Sequence, residues 1–154
     1  RAATSEEAGF GILVHRYLEL ADMQSDPEAL RLSMEIDVTT FQTVEQAALA
    51  CRESPDARRF FDPTCYLRAR NEIEYVDREG QRRRIDRLVE FEDSVWVIDY
   101  KTGGLDEPAL ERRSLPYVEQ LRDYTRAMED MHPRKAVHAG LLFSDGAFWV
   151  LPRG

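Results

Sequence analysis

The sequence predicts an α/β fold in which a mixed β-sheet is flanked by helices. Three observations point there. Apolar residues recur at three-and-four spacing over residues 5–23 and 118–131. Alternating or apolar runs bounded by turn residues fall at 67–77, 82–91, 95–101, 136–143 and 147–151. The resulting order of helix, helix, three strands, helix and two strands suggests a mixed sheet with flanking helices.

The first helix carries Phe10, Leu13, Val14, Tyr17, Leu18 and Ala21 on one stripe, with Ser5, Glu6 and Glu7 as its capping region. Gly9 and Gly11 weaken a helix interior by up to about 1 kcal/mol each relative to alanine, unless they permit close approach of a neighbouring backbone. Ser25-Asp26-Pro27 reads as a break, followed by a second helix over 44–52 that Ser54-Pro55-Asp56 ends. The next three segments form a meander. A three-residue loop Arg78-Glu79-Gly80, with the glycine left-handed, joins the first two strands, and Glu92-Asp93-Ser94 turns into the third. Gly103-Gly104 stops the third strand, His132-Pro133 closes the helix over 118–131, and Ser144-Asp145-Gly146 joins the last two strands.

Composition narrows the class. With 43% hydrophobic and 32% charged residues in 154, the chain reads as one ordinary globular domain over 1–154. No apolar run approaches the roughly 20 residues that span a bilayer, so no membrane association and a cytoplasmic location are expected. The start at Arg1-Ala2-Ala3, without an initiator methionine, suggests a domain excised from a longer chain. Cys51 and Cys65 are too few and too irregularly spaced for a disulfide framework or zinc knuckle and read as idle thiols. The net charge of −8 argues against a nonspecific nucleic-acid coat and leaves local groups such as Arg82, Arg83 and Arg84 to meet phosphates.

The chemistry gathers on the hairpin. In Val95-Trp96-Val97-Ile98-Asp99-Tyr100-Lys101 the two-residue period of a strand places Val95, Val97, Asp99 and Lys101 on one face. If the turn is tight about Glu92-Asp93, Asp86 lies opposite Asp99, and the Arg78-Gly80 loop sets Glu72 opposite Asp86. Two carboxylates about 5 Å apart repel by roughly 3 kcal/mol at an effective dielectric near 20, so the cluster calls for a cation or for protonation. A hard divalent ion, Mg²⁺ or Mn²⁺, suits oxygen ligands. Asp-x-Lys is common by chance, and its weight here comes from its place at the end of an apolar strand. Of the 21 basic residues only Lys101 and Lys135 are lysine, and lysine is the compact point charge that suits a nucleophilic water.

The stretches Gly11-Ile12-Leu13-Val14-His15, Glu72-Ile73-Glu74-Tyr75, Ile85-Asp86-Arg87-Leu88-Val89, Val97-Ile98-Asp99-Tyr100-Lys101-Thr102-Gly103 and Gln120-Leu121-Arg122-Asp123-Tyr124 resemble, in that order, the RecB-like nucleases of the PD-(D/E)XK superfamily. The resemblance implies a restriction-endonuclease-like fold and metal-dependent phosphodiester cleavage. It implies that His15, Asp86 and Asp99, with the main-chain carbonyl of Tyr100, ligate the metal, and that Lys101 orients water or stabilises the phosphate. Gln120 and Tyr124 match the family's Gln-x-x-x-Tyr element near the site and DNA, and Glu72 an acidic position of less certain role. From spacing alone His15 reads as a core histidine and Tyr124 as a core tyrosine. His132 and His138 match no motif. Some relatives hold an iron-sulfur cluster on four cysteines outside the span that contains Cys51 and Cys65, so no iron-sulfur cluster is expected here.

The expected function is therefore an Mg-dependent DNA exonuclease of repair and recombination. Its expected partners are single-stranded DNA or DNA ends and helicase domains of the same or a partner chain. The alternative is a nuclease-fold module without catalysis that binds DNA or braces a larger machine. A plain α/β interaction domain leaves Asp99 and Lys101 on an apolar strand without explanation.

Overall fold

The computed structural model describes residues 5–153. Its elements in order are α1 (Ser5–Leu20), α2 (Pro27–Met34), α3 (Val38–Glu53), β1 (Arg68–Val76), β2 (Arg82–Glu90), β3 (Ser94–Lys101), α4 (Leu110–Ser114), α5 (Val118–Met131), β4 (Ala136–Phe143) and β5 (Phe148–Val150). Single 3₁₀ turns at Arg58–Phe60 and Leu115–Tyr117 precede β1 and α5. The strands form one sheet in sequence order, antiparallel except for β3 and β4, which run parallel with α4 and α5 as the crossover. This is the mixed sheet flanked by helices that the sequence predicts. The capping side chains of Ser5 and Glu7 lie outside those described.

Two expectations change. Ser25-Asp26-Pro27 opens a helix rather than merely breaking one. Asp26 accepts a hydrogen bond from the Ala29 amide, and Pro27 stands at the first helical position, where its missing N–H costs nothing. The next helix, α3, starts at Val38 instead of Val44, capped by Asp37 accepting from the Thr40 amide at 2.7 Å. The β-branched run Val38-Thr39-Thr40 hides that first turn from a reading based on propensity.

The sheet has a core on each face. Trp96, Ile98 and Tyr100 of β3, with Val89 and Leu142, pack under α1–α3 through Val14, Leu18, Phe41 and Val44. Val95 and Val97, with Leu88, Val137 and Leu141, pack under α5 through Leu121, Tyr124 and Met128. This alternation of β3 places Asp99 and Lys101 on the α5 face, as the two-residue period requires. Gly11 serves close approach. A β-carbon there would stand 2.4 Å from the Thr102 Cβ, so α1 lies directly against the chain leaving β3, whereas nothing lies within 4 Å of the same position at Gly9.

Candidate metal and catalytic site

The site forms at a crease in the sheet. The expected hairpin registers are present: β2 pairs with β3 from Glu90↔Val95 to Arg87↔Ile98, and β1 with β2 from Arg68↔Glu90 to Val76↔Arg82. Gly80 is left-handed at φ 80°, and the Asp77 amide donates to the Gln81 carbonyl across its loop. Between Asn71↔Arg87 and Ile73↔Ile85, however, the Glu72 and Asp86 step is not a regular pair, and Glu72 has φ 53°. On one side of it Ala69 and Val89 pack beneath α1–α3; on the other Ile73, Tyr75 and Ile85 pack beneath α5. The hairpin thus changes face at this step, and β2 parts from β3 at Asp86.

Asp86 fills the parting. Its Oδ2 accepts the Tyr100 amide at 2.9 Å, replacing a ladder bond, while Oδ1 stands 3.6 Å from His15 Nε2. His15 reaches the crease from α1, its ring edge-on to the Tyr100 ring at 4.7 Å. Its Nε2 is 2.6 Å from Glu19 Oε1, one helical turn along. The nitrogen is buried yet makes no aligned hydrogen bond. Single ligand atoms of His15, Glu19 and Asp86 all lie within 4.8 Å of one another, a separation that one metal ion can bridge.

One residue outside the ligand set implied by the resemblance stands in this group. Glu19 joins His15 and Asp86 in this group, and the i, i+4 spacing from His15 was the signal that could have found it. Asp99 adjoins Asp86, and its Oδ2 lies 2.9 Å from Nζ of Lys101, two residues along the same face. Tyr100 offers its amide to Asp86 and buries its side chain under α1. Glu72 does not pair regularly with Asp86, and it meets the acidic group through Glu19 instead. Its left-handed backbone leaves the carboxylate exposed, 3.4 Å from Arg84.

Lys101 is held on three sides. Besides Asp99, its ammonium donates to Gln120 Oε1 at 3.1 Å and lies 4.3 Å from the Tyr117 ring centroid. Tyr124 is nearly buried in the α5-side core, edge-on to Tyr75, which is the placement its helical spacing predicts. Gln120 therefore reaches the lysine, and Tyr124 supports the wall behind it. Among the arginines expected to meet phosphates, Arg82 and Arg84 are exposed. Arg83 instead pairs with Asp77 at 3.1 Å and approaches Asp123.

Electrostatics favour a cation at the crease. Burial, reinforced by the neighbouring Asp99, pushes the Asp86 carboxyl up to about 8, against the pull of His15 and the Tyr100 amide. Burial alone would lower His15, but the Glu19 and Asp86 carboxylates outweigh it and leave the imidazole raised. Glu19 is lowered despite burial by His15 and Glu72, and Glu72 is raised by contact with Glu19. The donor set of one imidazole and two carboxylates, with an unaligned buried nitrogen, fits a divalent ion.

Comparison with known proteins gives the family. The sequence profile of the PD-(D/E)XK nuclease superfamily matches residues 1–150, and the chain belongs to that superfamily. Over 62 residues it is 42% identical to a subunit of an ATP-dependent helicase/nuclease from Moorella thermoacetica, which supports the RecB-like grouping. That match covers 40% of this chain and 4% of the relative's length. Among the described residues no helix is long and apolar enough to cross a membrane.

Proposed function

We propose that this chain is a metal-dependent DNA nuclease domain that hydrolyses phosphodiester bonds at the β2–β3 crease. The observation that carries the reading is the convergence of His15, Glu19 and Asp86 within 4.8 Å beside the Asp99–Lys101 pair. In this reading His15, Glu19 and Asp86 hold Mg²⁺ or Mn²⁺, and Asp99 orients Lys101 and adds negative charge. A metal bound there supplies charge neutralisation at the phosphate and a water of lowered pKa. Lys101 places its ammonium beside the attacked phosphate, fixed by Gln120 and Tyr117. The order of the five motifs and the helicase/nuclease relative support an exonuclease acting in repair or recombination on single strands or ends fed by a helicase, in the cytoplasm. The net charge of −8 predicts weak, salt-sensitive DNA binding by the domain alone, improved by tethering to a motor.

The deciding experiment is single-turnover cleavage of an end-labelled single-stranded oligonucleotide, titrated with Mg²⁺ and Mn²⁺. The wild type should cut only with metal, and Asp86→Ala should not cut. Metal-dependent DNA binding without cleavage would overturn catalysis in favour of a binding module.

A further inference from the structure

The most densely bonded arginine near the site is one that no motif contains. Arg113 lies in α4 with its side chain only 7% exposed. Its Nη1 donates to Asp145 Oδ2 at 2.8 Å, in the turn between β4 and β5. Its Nη2 donates to the carbonyls of Glu107 and Leu105 at 2.9 and 3.3 Å, and its Nε donates to Glu107 again at 3.2 Å. The guanidinium lies 4.9 Å from the Phe143 ring centroid. Left-handed Gly104, at φ 73°, passes so close that a β-carbon there would be 3.3 Å from Arg113 Cγ. The segment 104–109 is wound around this one side chain.

That segment joins the two halves of the lysine's surroundings. It leaves β3 directly after Lys101 and leads into the turn and helix that carry Tyr117 and Gln120. The β4–β5 turn grips both ends: the Ser144 amide donates to the Lys101 carbonyl at 3.0 Å, and the neighbouring Asp145 takes Arg113. Lysine has four rotatable carbons and no preferred direction, so the position of its ammonium follows its partners. Two of those three partners, Tyr117 and Gln120, come from the 3₁₀ turn and helix that directly follow α4, where Arg113 sits.

We propose that Arg113 is a positioning residue for Lys101, fixing where Tyr117 and Gln120 hold the ammonium while leaving the metal ligands untouched. This rests on the nuclease reading. His15, Glu19 and Asp86 come from α1 and β2, whereas Arg113 bonds to Leu105, Glu107 and Asp145, so its loss should separate cleavage from metal binding. A displacement near 1 Å costs up to about 100-fold in rate when a reacting geometry is disturbed.

The test uses Arg113→Met, Arg113→Lys and Asp145→Asn in this chain. Single-turnover cleavage at saturating DNA, Mn²⁺ affinity by calorimetry and the NMR position of the Gln120 side-chain amide are measured for each. Arg113→Met should cut about tenfold more slowly or worse, with Mn²⁺ affinity within about twofold and a shifted Gln120 amide. Arg113→Lys should fall between, since it keeps charge toward Asp145 but not the planar fork. An unchanged rate, or parallel loss of rate and Mn²⁺ affinity, would overturn the proposal. Should Arg113→Met fail to fold, Asp145→Asn decides, with a several-fold loss expected and no loss counting against it. If the wild type does not cut DNA, the nuclease reading fails instead, and the Gln120 amide alone decides whether Arg113 sets the lysine's surroundings.

Discussion

Asp86 divides its carboxylate between two tasks: one oxygen accepts the Tyr100 amide at 2.9 Å, and the other faces His15 Nε2 at 3.6 Å. The first oxygen takes over where the β2–β3 ladder stops, so the strand pair can part without leaving that amide unpaired. The second is thereby aimed at α1 by the backbone itself. As the proposed metal ligand, Asp86 would need no ordering when a cation arrives.

Metal binding at this carboxylate should release a proton. Asp86 is pushed up to about 8 from an ordinary 3.8, so it is largely protonated at neutral pH in the metal-free protein. A folded value above the unfolded one stabilises the fold fully below the unfolded value and ceases to do so as pH rises through the folded one. The metal-free melting temperature should therefore decline between about pH 4 and 8, and saturating Mg²⁺ should oppose the decline. Melts at several pH values with EDTA or Mg²⁺ check this, together with calorimetry in two buffers of different ionisation heat. Binding heat independent of buffer near pH 7 would contradict a protonated Asp86.

The two glycines of α1 should respond oppositely to alanine. Gly11→Ala places a methyl 2.4 Å from the Thr102 Cβ, and overpacking of this kind costs about 1–3 kcal/mol, more than the roughly 1 kcal/mol gained in helix propensity. Gly9→Ala meets nothing within 4 Å and should stabilise by up to about 1 kcal/mol. Thermal melts of both should move in opposite directions. Gly11→Ala should also slow cleavage, since Thr102 follows Lys101.

Arg87 should be the costliest charge to remove. It is fully buried, donates to the Phe60 carbonyl at 2.9 Å and to Asn71 Oδ1 at 3.0 Å, pairs with Asp22, and faces the Phe61 ring. It joins the end of α1 to β1 and to the 3₁₀ turn before it. Removing one partner of a buried pair costs about 3–5 kcal/mol, and Asp22, a quarter exposed, keeps the Asn71 amide, so the lower end applies to Arg87→Met. At 154 residues this is a fall of roughly 6–12 °C in Tm, readable in a thermal melt. A change under about 2 °C would show that Asp22 and the Phe60 carbonyl are satisfied without the arginine.

These residues show what was legible in the sequence. Both hairpin registers followed from turn chemistry, because Gly80 and the Glu92-Asp93 turn each admit a narrow set of connections and a strand's period carries the rest. The shared face of Asp99 and Lys101 came with them, whereas the β2–β3 pairing ends at Arg87↔Ile98, one step short of Asp86 and Asp99. Glu72 could not be placed by that logic, since a left-handed backbone at one glutamate reverses the pleat and nothing local demands it. Glu19 stands one helical turn from His15, a spacing visible in the sequence, but only the crossing of α1 over the crease brings the two to Asp86. Arg113 is one of many arginines until the loop before it and the distant Asp145 converge on it. Local periods reveal elements and registers; contacts between elements depend on how the helices cross the sheet.

The sharpest test of the site is Lys101→Arg. The ammonium stands 2.9 Å from Asp99 Oδ2, 3.1 Å from Gln120 Oε1 and 4.3 Å from the Tyr117 ring centroid, with the side chain 18% exposed. Arginine keeps the charge, so a purely electrostatic role would survive in part. It is longer, planar and never deprotonated in proteins, and its fork cannot occupy a point set by three partners at these distances. Removing a positioned stabiliser of developing charge typically costs about 10²–10³ in rate, and a loss of about 100-fold or more is expected for Lys101→Arg and Lys101→Met alike. Metal affinity should stay near wild type, since His15, Glu19 and Asp86 are untouched. Single-turnover cleavage with Mg²⁺ beside a thermal melt separates loss of catalysis from loss of fold. Retention of near wild-type cleavage by the arginine variant would reduce Lys101 to a solvated charge and leave the chemistry to Asp86 and Asp99.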